Sequence, residues 1–155
     1  MRSHHDAPPM IRGAVAGACA TLPMTFCMMR LFRALPQDQQ YPLPPAEITA
    51  ILIDRLGLAI HLTQKEQTML TLLAHIAYGS AGGVLYGIVA QKFAQPAPIK
   101  GIIYGLLLWS ISYLGWLPGL HILSSAIEHP AQRNGLMITA HLVWGTILAE
   151  LFVRK

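Results

Sequence analysis

Apolar positions run through this chain in four long stretches broken by short polar connections. Residues 13–29, 67–91, 101–127 and 134–149 contain no Asp, Glu, Lys or Arg. A helix needs about 20 predominantly apolar residues to cross a hydrocarbon core, where unpaired backbone groups cannot be left. The second and third stretches meet that length, and the first and fourth reach it if Arg30 and Glu150 sit at an interface. The pattern predicts four membrane-spanning helices at about 11–33, 67–93, 99–118 and 132–153. The long connection after the first span starts with Pro36, Pro42, Pro44 and Pro45, which stop the helix and extend the chain. Ile48, Ile51, Leu52 and Leu56 then recur at helical spacing, with Glu47, Asp54 and Arg55 elsewhere on the wheel. This predicts a short amphipathic helix at about 45–57 that lies on the membrane surface or caps the bundle. Thr63 and Glu66 have capping-box spacing ahead of the second span, and Pro130 marks the start of the fourth.

Composition agrees with this topology. Of 155 residues, 54% are hydrophobic and 12% charged, with mean hydropathy +0.46. That is roughly half the charge of an average soluble domain. The net charge of +4 comes from 11 Lys and Arg scattered singly, with no basic stripe, so nucleic acid is not an expected partner. The expected partners are the lipid bilayer and either a second copy of the chain or another membrane protein. Six bases (Arg2, Arg12, Lys92, Lys100, Arg154, Lys155) fall on one side and five (Arg30, Arg33, Arg55, Lys65, Arg133) on the other, which places both termini in the cytoplasm by a narrow margin. The apolar run before Cys19 is too short for a signal peptide, so the first span is read as uncleaved.

Two pairs of segments resemble each other. Ile11-Arg12-Gly13 with Gly17 opens the first span, and Ile99-Lys100-Gly101 with Gly105 opens the third. Ala74-His75 followed by Gly79 in the second span matches Ala140-His141 followed by Gly145 in the fourth. The order is the same in both halves, which predicts two helical hairpins related as parallel repeats, with the amphipathic helix inserted in the first. Gly79, Gly83 and Gly87 continue at every fourth position after His75, and Gly13, Gly17, Gly101 and Gly105 form notches on the odd-numbered spans. Such small-residue faces let helices pack closely in lipid, within a chain or between copies.

His75 and His141 are the residues of chemical interest, because an ionisable side chain inside a span is costly to bury. Three readings follow. The chain is a non-enzymatic accessory or interaction protein, in which the histidines serve packing. Alternatively, His75 and His141 are axial ligands of a haem b lying on the glycine face, or bind a metal in a redox protein. Thirdly, they relay protons in a small transporter or channel, with Thr71, Ser80, Ser110, Ser112 and Thr139 as a thin polar lining. Met24, Cys27 and Met28 share a helix face and could hold a soft metal, though Met and Cys are also common apolar fillers. Pro23 leaves the Cys19 carbonyl without its helical donor, a gap that Thr21 or Thr25 could relieve. His4, His5, His61, His121 and His129 form no spacing that defines a metal site. No phosphate-cradling loop, nucleophile elbow or zinc-protease motif is present in the sequence.

The short motifs Pro42-Leu43-Pro44-Pro45, His75, Lys100-Gly101, and His141-Leu142-Val143-Trp144 with Glu150 and Arg154-Lys155 resemble those of the YagU-like bacterial inner-membrane proteins. That resemblance implies a bacterial inner membrane and assigns no activity and no functional residues.

Overall fold

The computed structural model describes residues 7–58 and 62–154, so His4, His5 and His61 lie outside the described residues. Those residues are helical with no strand, and four of the helices are long and apolar enough to cross a membrane. They are α1 (Pro9–Phe32), α3 (Gln64–Val89), α4 (Ala97–Gly119) and α5 (Ala131–Val153), with the shorter α2 (Pro44–Arg55) between α1 and α3. The start of α3 is set by its cap: Thr63 and Glu66 bond reciprocally, satisfying two orphan N–H donors. Proline at the first turn starts α1, α2 and α4, where its missing N–H costs nothing.

Neighbouring long helices run antiparallel. α1 lies between α3 and α5, and α4 packs on the far side of α5. Half of the most apolar stretch of α5 is buried, against 22% for α4, so α5 is the central helix and α4 a peripheral one. The core joins Ala16, Ala20, Met24 and Met28 of α1 to Leu136, Met137, Ala140, Trp144 and Leu148 of α5. Trp144 Nε1 donates to Gly17 O at 3.1 Å, tying the two helices at mid-depth. Two hydrogen bonds bridge α3 and α4: Tyr104 Oη donates to Gly82 O at 2.7 Å, and Tyr78 Oη and Ser112 Oγ share a hydrogen bond at 2.7 Å.

Two glycine crossings bring backbones into contact. A Cβ on Gly13 would strike Gly83 O, one on Gly17 would strike Gly79 O, and one on Gly87 would strike Pro9 O. In the other pair, Gly101 faces Gly145 O and Gly105 faces His141 O. These faces are filled by neighbouring helices of the same chain. The crossings also differ in register. Gly13 meets Gly83, whereas Gly101, its match in sequence, meets Gly145, the match of Gly79. The second hairpin is therefore one helical turn out of step with the first, because close backbone approach follows the local glycine and not the histidine motif.

The outward faces are covered with large apolar side chains, among them Val15, Leu22, Phe26, Leu73, Leu85, Ile103, Leu107 and Ile111. An apolar mantle on this scale is untenable in water and suited to lipid. Thr21 and Thr25 bond the carbonyls of Gly17 and Thr21, so neither relieves Cys19 O above Pro23.

Candidate functional site

The connection from α1 to α2 is held by one side chain. Arg133, in the first turn of α5, is 4% exposed and donates to Gln39 O at 3.0 Å, Tyr41 O at 2.8 Å and Pro42 O at 2.8 Å. Its guanidinium also stacks 3.5 Å from the Tyr41 ring centroid. Tyr41 Oη meets His129 Nδ1 at 2.8 Å, and Gln39 Nε2 donates to Gln132 Oε1 at 2.7 Å. A proline-rich segment has few regular backbone partners, and here a buried arginine supplies them. From the sequence Arg133 reads only as a base at a span end.

This anchoring sets α2 across one end of the bundle, where it closes a cavity of about 240 Å3. Thr21 and Met24 of α1, Ile48 and Leu52 of α2, His75 and Tyr78 of α3, and Met137, His141 and Trp144 of α5 are in its wall. On the α4 side the wall is Leu108, Ser112, Tyr113, Trp116 and Leu117. Four of these five lie in or directly after a π-helical turn, Ile111–Trp116, that interrupts α4. π-Turns are rare and concentrate at functional sites, because the extra residue re-aims side chains.

The two histidines thus share one cavity. His75 Nδ1 lies 3.2 Å from Thr25 Oγ1. The Thr25 hydroxyl already donates to Thr21 O at 2.8 Å and has a single proton, so it accepts from His75, whose proton is on Nδ1. His141 Nδ1 lies 2.7 Å from Met137 O, which can only accept, so His141 also carries its proton on Nδ1. Among the described residues the wall holds no carboxylate and no lysine, and an unpaired imidazolium is costly in such surroundings. Both rings are neutral, and each keeps a bare Nε2 lone pair. The sealed polar atoms lacking a partner among the described residues are Gln39 Oε1, Tyr86 Oη and Trp109 Nε1. Neither Nε2 is among them. Tyr113 stands edge-on to His141 with ring centroids 5.8 Å apart.

The other candidates fall elsewhere. Gly79 touches the cavity, whereas Gly13, Gly17, Gly83, Gly87, Gly101 and Gly105 serve the helix crossings. The glycine face after His75 is occupied by α1, so it offers no slot for a flat macrocycle. Met24 and Met28 are core residues and Cys27 is half-buried. No cluster of three or more His, Cys, Asp or Glu suited to a metal occurs among the described residues. Thr25, Tyr113 and Arg133 were not singled out by sequence spacing; a hydroxyl at His75 depth on a neighbouring span was the available signal for Thr25.

Fold and site together define a multi-pass helical membrane protein with a histidine-bearing cavity under a short capping helix. The family described as "Protein of unknown function (DUF1440)" matches residues 36–149, and the chain belongs to it. The matched region holds every cavity residue except those of α1. No curated protein and no solved structure matches the chain.

Proposed function

We propose that the protein is a non-enzymatic integral component of a bacterial inner membrane, of the YagU-like kind, that holds a small, largely apolar molecule in the cavity beneath α2. The observation that carries this reading is the cavity, with its apolar and aromatic wall and two histidines. A cavity of about 150 Å3 suffices for a benzene ring, so the roughly 240 Å3 present here takes a substituted ring. Among the described residues of the wall the Thr21 and Thr49 hydroxyls donate to backbone carbonyls and Ser112 bonds Tyr78 rather than either histidine, which favours binding over covalent or hydrolytic chemistry. The presence of a glycine crossing in each hairpin, although one turn out of register, supports descent of the two hairpins from one duplicated unit, and the narrow charge bias supports cytoplasmic termini, with α2 facing the opposite side.

A haem b between His75 and His141 has less support, since α1 fills the glycine face. A proton relay is also less favoured, because of Thr71, Ser80, Ser110, Ser112 and Thr139 only Ser112 lines the cavity, and the Thr71 and Thr139 hydroxyls donate to carbonyls of their own helices.

The test is binding of 1,4-dimethoxybenzene, a ring without hydroxyl groups, to the protein in lipid nanodiscs by equilibrium dialysis, with protein-free nanodiscs subtracted. Saturable binding is expected, and Ala74→Phe, which projects a ring into the cavity, should abolish it. Uptake no greater than that of protein-free nanodiscs would refute the reading.

A further inference from the structure

We infer that the cavity takes the neutral 1,4-benzenediol head of a membrane-dissolved quinol, held by its two hydroxyls between Nε2 of His75 and Nε2 of His141. The inference rests on the binding role proposed above and adds the chemical class of the ligand and its route.

The class follows from a donor and acceptor balance. Three donors in the wall are already used: Thr21 Oγ1 on Gly17 O, Thr49 Oγ1 on Pro45 O, and Trp144 Nε1 on Gly17 O. Tyr78 and Ser112 share one hydrogen bond, which leaves one of their two protons free, and Trp116 Nε1 is bonded by no described residue, so donors of the wall remain for a ligand oxygen to accept from. Tyr113 Oη, which no described residue bonds, can donate or accept and so does not discriminate. The two imidazoles do discriminate. With their protons held on Nδ1 by Thr25 and by Met137 O, they present only lone pairs. A ligand that satisfies both must bring two donors and no charge. An aromatic diol does this, and its face suits a wall containing Tyr78, Tyr113, Trp116 and Trp144. The oxidised quinone, which has only acceptors, would leave both nitrogens unpaired and is disfavoured.

The route follows from exposure. Leu52, Tyr78 and Trp116 line the cavity yet are 44%, 38% and 39% exposed, and Ala74 beside them is exposed too. These residues make a mouth between α3 and α4 beside α2, spanned by the hydrogen bond that Tyr78 and Ser112 share, on the surface the apolar mantle assigns to lipid. A head group can reach the histidines through this mouth while its tail stays in the bilayer.

The experiment extends the nanodisc dialysis to a series under argon: 1,4-dimethoxybenzene, 4-methoxyphenol and hydroquinone, with zero, one and two donors on one ring. Affinity, corrected for partition into lipid, should rise about tenfold per hydroxyl. His75→Leu and His141→Leu should each remove one step, and the double variant should bind all three alike. Retained binding of 1,4-dimethoxybenzene shows that a variant is folded; where a variant does not fold, the wild-type series alone decides. Equal affinities in the wild type, or a stepped order that survives the double substitution, would overturn the inference and leave the cavity role standing. Failure of all three to bind would remove the cavity role itself. 2-Decylhydroquinone should bind at least as tightly as hydroquinone, and its exclusion would overturn the membrane-dissolved source.

Discussion

Replacing Arg133 by Met removes the lock on the segment that carries α2. The guanidinium makes three hydrogen bonds to carbonyls and one ring stack, and it has almost no exposure to water. Each bond from a charged donor contributes about 1.5–3 kcal/mol, and the stack about 1–2 kcal/mol more. Removing a buried charge that has no carboxylate partner offsets a large part of that sum. A net loss on the order of 3 kcal/mol remains, since three carbonyls lose their donor. The loss should fall locally. α1, α3, α4 and α5 keep their mutual packing, while residues 36–55 come away from the end of the bundle and open the cavity. Amide hydrogen exchange in micelles checks this: protection should drop in 37–55 and persist in 131–153, and denaturant titration should show the lowered stability. Arg133→Lys should recover only part, because a point-like ammonium lacks the planar fork and stacks more weakly. A Met variant within about 0.5 kcal/mol of wild type, the range of neutral surface changes, with unaltered exchange over 37–55, would refute the reasoning.

Two further outcomes test the packing and the histidines. Gly83→Ala places a Cβ against the backbone of Gly13 and should cost about 1–3 kcal/mol by overpacking, whereas Gly135→Ala, with open space around it, should be neutral or stabilise α5 by up to about 1 kcal/mol; denaturant titration in micelles reads both, and equal effects would count against the crossing. Thr25→Val removes the acceptor of His75 Nδ1–H, so the 15N spectrum of His75 should show both tautomers while His141 is unchanged and Thr25→Ser restores the single form; an unaltered His75 would show that Thr25 does not hold the ring.

The four spans were legible because charge is so costly in hydrocarbon that its absence from 13–29, 67–91, 101–127 and 134–149 leaves little choice of location. The capping box at Thr63 was legible because its chemistry is local. His75 and His141 stood out for the same reason as the spans, as ionisable groups where none is expected. Their surroundings were not legible. The Thr25 partner comes from another helix, and its register depends on which glycines of α1 and α3 meet, which apolar periodicity does not encode. The π-turn at Ile111–Trp116 leaves no mark on hydropathy. Arg133 was misread because a base at a span end ordinarily faces headgroups, and only the folded proline-rich segment supplies the carbonyls that draw it inward. The glycine faces were visible, but the same pattern serves packing within a chain, between chains or against a ligand, and only the fold distinguishes these uses.

The most direct test is the 15N spectrum of histidine-labelled protein in lipid bilayers, recorded alone and with hydroquinone. The two cavity histidines should each show a protonated Nδ1 and a bare Nε2, assigned by loss of one signal set in His75→Leu and the other in His141→Leu. Both Nε2 resonances should move as they accept a hydrogen bond from the diol. A proton on Nε2 of either residue in the free protein, or two Nε2 resonances that stay in place at saturating hydroquinone, would contradict the account.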